Sequence, residues 1–174
     1  MSRYEIEPGR FFPGQARYDP VTISAVDAGT DVGELLTLQR TAYVTEAQLY
    51  DNARLPALVQ RYDELAGELA TSLALKATIG ARIVGAGRAR VDGRVLHIGR
   101  LTIAPDLQGR GIGTALLTRL EALAPEGVER YALFTGQLSA ANLRLYRRLG
   151  YVETRREELA PGVVLVHLGK PAVR

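Results

Sequence analysis

The run from Leu101 to Ala124, LTIAPDLQGRGIGTALLTRLEALA, leaves this chain few ways to fold. Apolar and β-branched residues (Leu101, Thr102, Ile103) open it and Pro105 interrupts it. Glycines follow at 109, 111 and 113, and Leu116, Leu117, Leu120 and Leu123 then recur at helical spacing. The pattern predicts a strand, a tight glycine turn and an amphipathic helix. Three glycines alternating with other residues let backbone N–H groups converge with no Cβ between them. They do so at the positive end of a helix whose first four donors lack intrahelical partners. Such a place suits a phosphate or pyrophosphate. A P-loop is excluded, because Gly113 is followed by Thr114 and Ala115 where a lysine would be needed. A dinucleotide turn is excluded by the alternating glycines, which do not make G-x-G-x-x-G.

The pattern Q/R-x-x-G-x-G/A does fit, with Gln108, Gly111 and Gly113 at its fixed positions. Downstream, a strand at Tyr131 to Thr135 precedes N-x-x-x-Y-x-x-x-G-[FY], read here as Asn142, Tyr146, Gly150 and Tyr151. In these two motifs the chain resembles the GNAT acetyltransferases, from about Ala74 to Val152. The resemblance implies an α/β (mixed α+β) fold: a mixed, mostly antiparallel sheet of about seven strands, flanked by about four helices. Two parallel strands splay apart in it, and the pantetheine arm of acetyl-CoA lies in the wedge. On that resemblance Leu101, Thr102 and Ile103 pair with pantetheine, the Ile103 N–H facing the thioester carbonyl. Gln108, Gly109, Arg110, Gly111, Ile112, Gly113 and Thr114 wrap the pyrophosphate. Tyr146 sits near the sulfur as the general acid. Asn142 binds the pantetheine chain, or else serves as an N-terminal helix cap.

Along the chain, residues 1–20 read as an irregular arm that Phe11 and Phe12 could pin down, and 21–170 as one acetyltransferase domain. A first strand over Val21 to Val26 leads to a turn where Thr30 or Asp31 could cap a helix running to about Tyr43. Val44 to Pro56 has no clean period and reads as a loop. In the family the acceptor is handled there, which makes Tyr43, Glu46, Tyr50 and Asp51 candidate substrate contacts. A second helix runs from about Ala57 to Ala70. Leu73 to Ile79, Ile83 to Val91 and Val95 to Ala104 alternate as three hairpin-linked strands, turning at Gly80 and Gly93. A strand reached through a crossover from Ala104 must be parallel to it. The helix over Ala140 to Leu149 closes at Gly150, and a last hairpin turns at Ala160-Pro161-Gly162.

Composition narrows the chemistry. There is no cysteine, which removes an acyl-cysteine intermediate and any thiolate metal site, so the implied reaction is direct transfer in a ternary complex. The net charge is +3, but the basic residues are scattered among acids without a stripe or an aromatic platform, which argues against nucleic acid. Arg110, Arg144, Arg147 and Arg148 gather near the motifs and suit CoA phosphates. No apolar run approaches a membrane span and no signal pattern opens the chain, so a cytoplasmic location is expected. The base has three candidates. His97 falls where several family members place a catalytic glutamate, with the strand parity of Leu101 and Ile103; Glu46 is its rival, and ordered water is the third. Arg100, of opposite parity, reads as structural or as a substrate anchor from the other face. The resemblance thus implies a transferase that moves an acetyl group from acetyl-CoA to a primary amine, without a metal. A small molecule is favoured as acceptor, and Glu46 and Asp51 favour a cationic one. A protein N-terminal or lysine acetyltransferase and a non-catalytic CoA-binding module are the alternatives, and homodimer formation is a further implication.

Overall fold

The computed structural model describes residues 4–5 and 20–172. Its strands are β1 (Tyr4–Glu5), β2 (Val21–Ala25), β3 (Leu73–Ile79), β4 (Arg82–Asp92), β5 (Val95–Ile103), β6 (Arg130–Gly136), β7 (Val152–Ala160) and β8 (Val163–Pro171). They form one sheet in the order β1-β2-β3-β4-β5-β6-β8-β7, in which β5 and β6 are the parallel pair. The expected mixed, mostly antiparallel sheet is present. The arm contributes the two residues of β1, antiparallel to β2; Phe11 and Phe12 lie outside the described residues.

Helices cover both faces. On one lie α1 (Val32–Leu49) and α3 (Tyr62–Ala70), linked by the single turn α2 (Pro56–Val59). On the other lies α4 (Ile112–Ala122), entered through a 3-10 turn at Pro105–Leu107, with α5 (Ala140–Arg148) beside it. Side chains alternate across β4, and this strand shows how the layers are told apart. Ala86 and Arg88 border a space shared with Leu35 and Gln39 of α1 and Leu65 and Leu69 of α3. Gly85 and Gly87 lie under α4 and leave little room for a methyl. A Cβ at Gly85 would stand 3.0 Å from both Ile112 and Leu116, and one at Gly87 would stand 3.1 Å from Leu120. The close approach lets Ile112, Leu116, Leu117 and Leu120 bury fully, each contributing roughly 1.5–3 kcal/mol. Leu123, expected on that apolar side, follows the helix end and is exposed.

Two helix boundaries differ from expectation. The first helix continues to Leu49, so the segment read as a substrate loop is largely helical and Tyr43 and Glu46 project from α1. Asp31 stands at its N-cap without a capping bond; its carboxylate instead accepts from Asp27 N–H (2.7 Å) and pairs with Lys76 (2.5 Å). The second helix breaks at Gln60 and Arg61, both with extended ψ. The break is held by polar groups: Gln39 Nε2 donates to Ala57 O and Gln60 Oε1, and Gln60 Nε2 to Glu68 Oε1 at 2.7 Å.

The strand that leads to the glycine turn is bent. Ala86 pairs with Thr102 but Arg88 pairs with Gly99, so Gly87 opposes both Arg100 and Leu101. The extra residue is a β-bulge, which bends and twists its strand. Arg100 absorbs it with φ +50°, a left-handed conformation that costs a non-glycine residue about 1–3 kcal/mol. The parallel ladder of β5 and β6 runs from Val95/Arg130 to His97/Ala132 and goes no further. Beyond it β5 stays with β4 and β6 with β8, which opens a wedge between them.

Candidate active site

On the α4 side the wedge ends at the glycine turn. Gly109 and Gly111 have φ +74° and +85°, and Gly111 takes the N-cap of α4 with no side chain to cap it. Its carbonyl accepts from Ala115, while the N–H groups of Gly111, Ile112, Gly113 and Thr114 donate to no protein acceptor among the described residues. Open space lies where a Cβ on Gly109 would be. Free donors at the positive end of a helix, facing an open bend, fit a diphosphate. Gln108 pins the turn to the strand by donating from Nε2 to Ile103 O at 3.4 Å.

The wedge itself offers strand hydrogen bonding. Ala104 N–H donates to Val84 of β4 at 2.9 Å. Successive N–H groups of a strand point to opposite sides, so Ile103 N–H points away from β4, toward the gap left by β6. That is the donor expected to meet a thioester carbonyl. Leu101 and Ile103 turn their side chains toward α4, where both lie near a Cβ position of Gly113.

Beside this gap the second motif and α1 meet. Tyr146 of α5 is buried, with its ring 6.1 Å from that of Tyr151. Burial pushes its phenol well above the ordinary value of 10, and the nearby Tyr43 and Glu46 push it the same way. Glu46 is held in place, because Ser139 Oγ donates to its carboxylate at 2.6–2.7 Å. Tyr50 lies over the end of β6. It accepts from Leu138 N–H at 2.9 Å, and a Cβ on Gly136 would stand 2.2 Å from its hydroxyl. The structure therefore brings Tyr43, Glu46, Tyr50 and Tyr146 together. Asp51 stands apart, exposed on the turn after α1 with φ +46°. Asn142 sits on the third residue of α5 and donates to Thr135 Oγ1 at 3.3 Å. Ser139, which the motif did not mark, occupies the N-cap, so the capping role weighed for Asn142 falls away. Arg144, Arg147 and Arg148 are exposed on α5.

The other candidate base, His97, occupies a different setting. It is exposed at the last position where β5 pairs with β6 and lines a cleft of about 560 Å³ on the α1/α3 face. The bulge breaks the expected parity: Arg100 lines the same cleft as His97, while Leu101 and Ile103 turn to the α4 side. Arg100 stacks its guanidinium over the Tyr43 ring at 5.8 Å. Arg88 is largely buried, and its Nη2 forms an ion pair with Glu68 Oε2. Burial lowers the Arg88 pKa; the Glu68 charge opposes this and the Arg100 charge adds to it. Sequence reasoning passed over Arg88, and the only signal was an arginine inside an otherwise apolar and glycine-rich strand.

A sheet parted at its one parallel pair, with a donor-rich helix N-terminus at one end of the gap and a buried phenol beside it, defines the fold of a CoA-dependent acyltransferase. Residues 44–170 match the family described as acetyltransferase (GNAT) domain. The chain belongs to the GNAT acetyltransferase family and is an acyltransferase. No curated protein matches it significantly in sequence. Among solved structures it is similar to the ribosomal-protein-S18-alanine N-acetyltransferase of Escherichia coli, with a TM-score of 0.70 and 20% identity over 88% of this chain and 95% of that one. The yncA protein of Salmonella typhimurium, solved with its cofactor acetyl-CoA, gives 0.69 and 20% over 88% and 94%. The PaiA N-acetyltransferase of Thermoplasma acidophilum, in complex with coenzyme A, gives 0.67 and 16% over 84% and 97%. No helix among the described residues is long and apolar enough to cross a membrane, and no three or more His, Cys, Asp or Glu among them are grouped as metal ligands.

Proposed function

We propose that this protein transfers an acetyl group from acetyl-CoA to a primary amine on a small molecule, by direct attack in a ternary complex. The observation that carries the reading is the convergence of Tyr146, Tyr43 and Glu46 where β5 and β6 part. Acetyl-CoA, when bound, supplies an acyl carbon joined to a good leaving group. The N–H groups of Gly111 to Thr114 hold its diphosphate, and Leu101 to Ile103 hold its pantetheine arm as a neighbouring strand would. Ile103 N–H donates to the acyl oxygen and stabilises the charge that develops there. Asn142, beside Thr135 at the end of β6, is placed to steady the arm.

Two proton transfers remain. Tyr146 keeps its proton because burial raises its pKa, so its hydroxyl can donate to the departing sulfur. Glu46 is the base favoured by placement. Its carboxylate faces the same gap and is oriented by Ser139, whereas His97 stands in the arginine-lined cleft of the α1/α3 face. Thiol release from acetyl-CoA, followed across a panel of amines with mass detection of the N-acetyl product, tests the reading. Product formed one for one with free CoA supports it. Tight CoA binding with no turnover of any amine would replace it with a binding module.

A further inference from the structure

Positive charge predominates in the cleft on the α1/α3 face. Arg88, Arg90, Arg100, Arg130 and Arg155 line it, and Glu68 is the one carboxylate among its lining residues. Two of these arginines stand out. Arg88 is largely buried, and its Nη2 lies against the Glu68 carboxylate, the one acidic group that lines the cleft. Arg100 pairs with no carboxylate among the described residues, faces the Tyr43 ring, and is held in a backbone conformation that an arginine adopts at a cost. Strained residues persist where the surroundings or the function hold them. The two guanidiniums are near enough to act on each other, the Arg100 charge adding to the burial that lowers the Arg88 pKa. With Glu68 the one carboxylate against five arginines, an anion beside Arg100 would offset the positive charge that remains.

That anion is not a CoA phosphate. The glycine turn opens on the α4 side, whereas Arg88 and Arg100 face α1 and α3. The pair is nevertheless adjacent to the reaction, because Arg100 touches Tyr43, and Tyr43 and Glu46 border Tyr146. We propose that the acceptor is an amine that also carries a carboxylate, with the carboxylate held by Arg100 beside the Arg88–Glu68 pair and the amine directed toward Glu46. This rests on the acetyltransferase reading and names its substrate class. A guanidinium fork matches a carboxylate in two parallel hydrogen bonds, which makes arginine the fitting residue. The arrangement reverses the cationic acceptor expected from Glu46 and Asp51: the carboxylate at Glu46 meets the amine end alone.

The test compares amines that differ only by the carboxylate: 4-aminobutyrate with propylamine, and phenylalanine with phenethylamine. O-phosphoethanolamine against ethanolamine serves as the phosphate arm. The wild type is expected to favour the acid of each carboxylate pair by about tenfold or more in kcat/KM. Arg100→Gly is expected to bring that ratio near one while raising the melting temperature, since glycine accepts φ +50° without strain. Arg100→Asn provides a second variant tolerant of the same conformation. Preference for the decarboxylated amines, preference for phosphate over carboxylate, or equal losses for both members of a pair in Arg100→Gly would overturn the proposal. A binding arm separates it from the reaction itself. With CoA present, an N-acetylated amino acid should raise the melting temperature of wild type more than its carboxamide does, and Arg100→Gly should abolish the difference. If that holds while no amine is turned over, the carboxylate site stands and the transfer reading fails; if wild type shows no difference, the carboxylate site fails.

Discussion

At the scale of residues, Tyr146 carries the sharpest expectations. Removing only its hydroxyl, in Tyr146→Phe, is expected to lower kcat about a hundredfold, the usual worth of a general acid, with little change in KM for acetyl-CoA. Stopped assays at saturating substrate read both. The sign of its pKa shift adds a second check. The phenol is raised above 10, so its protonated form persists as pH rises, and kcat is expected to hold its plateau through pH 9.5 to 10 instead of falling with an ordinary tyrosine. Part of this was legible in the sequence and part was not. Gly111 announced itself because glycine takes a left-handed N-cap with bare amides without strain. Arg100 did not, because strand parity assumes one residue per step and a bulge adds one unseen. Ser139 was hidden for another reason: its role is to orient Glu46, 93 positions away.

Elements bring these groups into register, and their ends are where sequence and structure differ most. The glycine turn, the three-strand meander and the last helix followed from punctuation by glycine and proline, and each lies within a residue or two of its expected range. The first helix ran six residues past its expected end because polar Thr45, Glu46 and Gln48 hid the continuing turn. That continuation is what aims Glu46 and Tyr50 at the end of β6. Tyr50 packs on Gly136 where no side chain would fit, so Gly136→Ala is expected to displace Tyr50 and to cut kcat/KM about tenfold or more, misplacement near a site being costly. A tie on the opposite face anchors α4 and the end of α5 to the sheet. Glu121 accepts from Tyr151 Oη at 2.7 Å and pairs with Lys170 at 2.8 Å, and Lys170 also donates to Leu149 O. Removing one partner leaves the other charge largely buried, so Glu121→Gln is expected to destabilise the fold by about 3 kcal/mol, measured as a lower urea midpoint at unchanged slope.

The whole molecule works as a sheet opened along one seam. One face carries the bare amides proposed to hold a diphosphate, the other presents arginines, and the seam between holds Tyr146 and Ile103 N–H. Its mixed topology was readable because strand, glycine turn, helix and returning strand allow only a parallel crossover. The position of the seam was not, since it depends on where the β5–β6 ladder stops at His97 and Ala132. Ligand that binds only the folded chain must also stabilise it, by about 2.7 kcal/mol at a hundred times its dissociation constant. Calorimetric titration of CoA into the wild type and into Gly111→Val tests the seam and its amide cradle most directly. Saturable binding at one site per chain is expected, weakened at least about tenfold in a variant that still melts cooperatively, the left-handed N-cap being closed to valine. No saturable heat with wild type, or equal affinity in both proteins, would contradict the account.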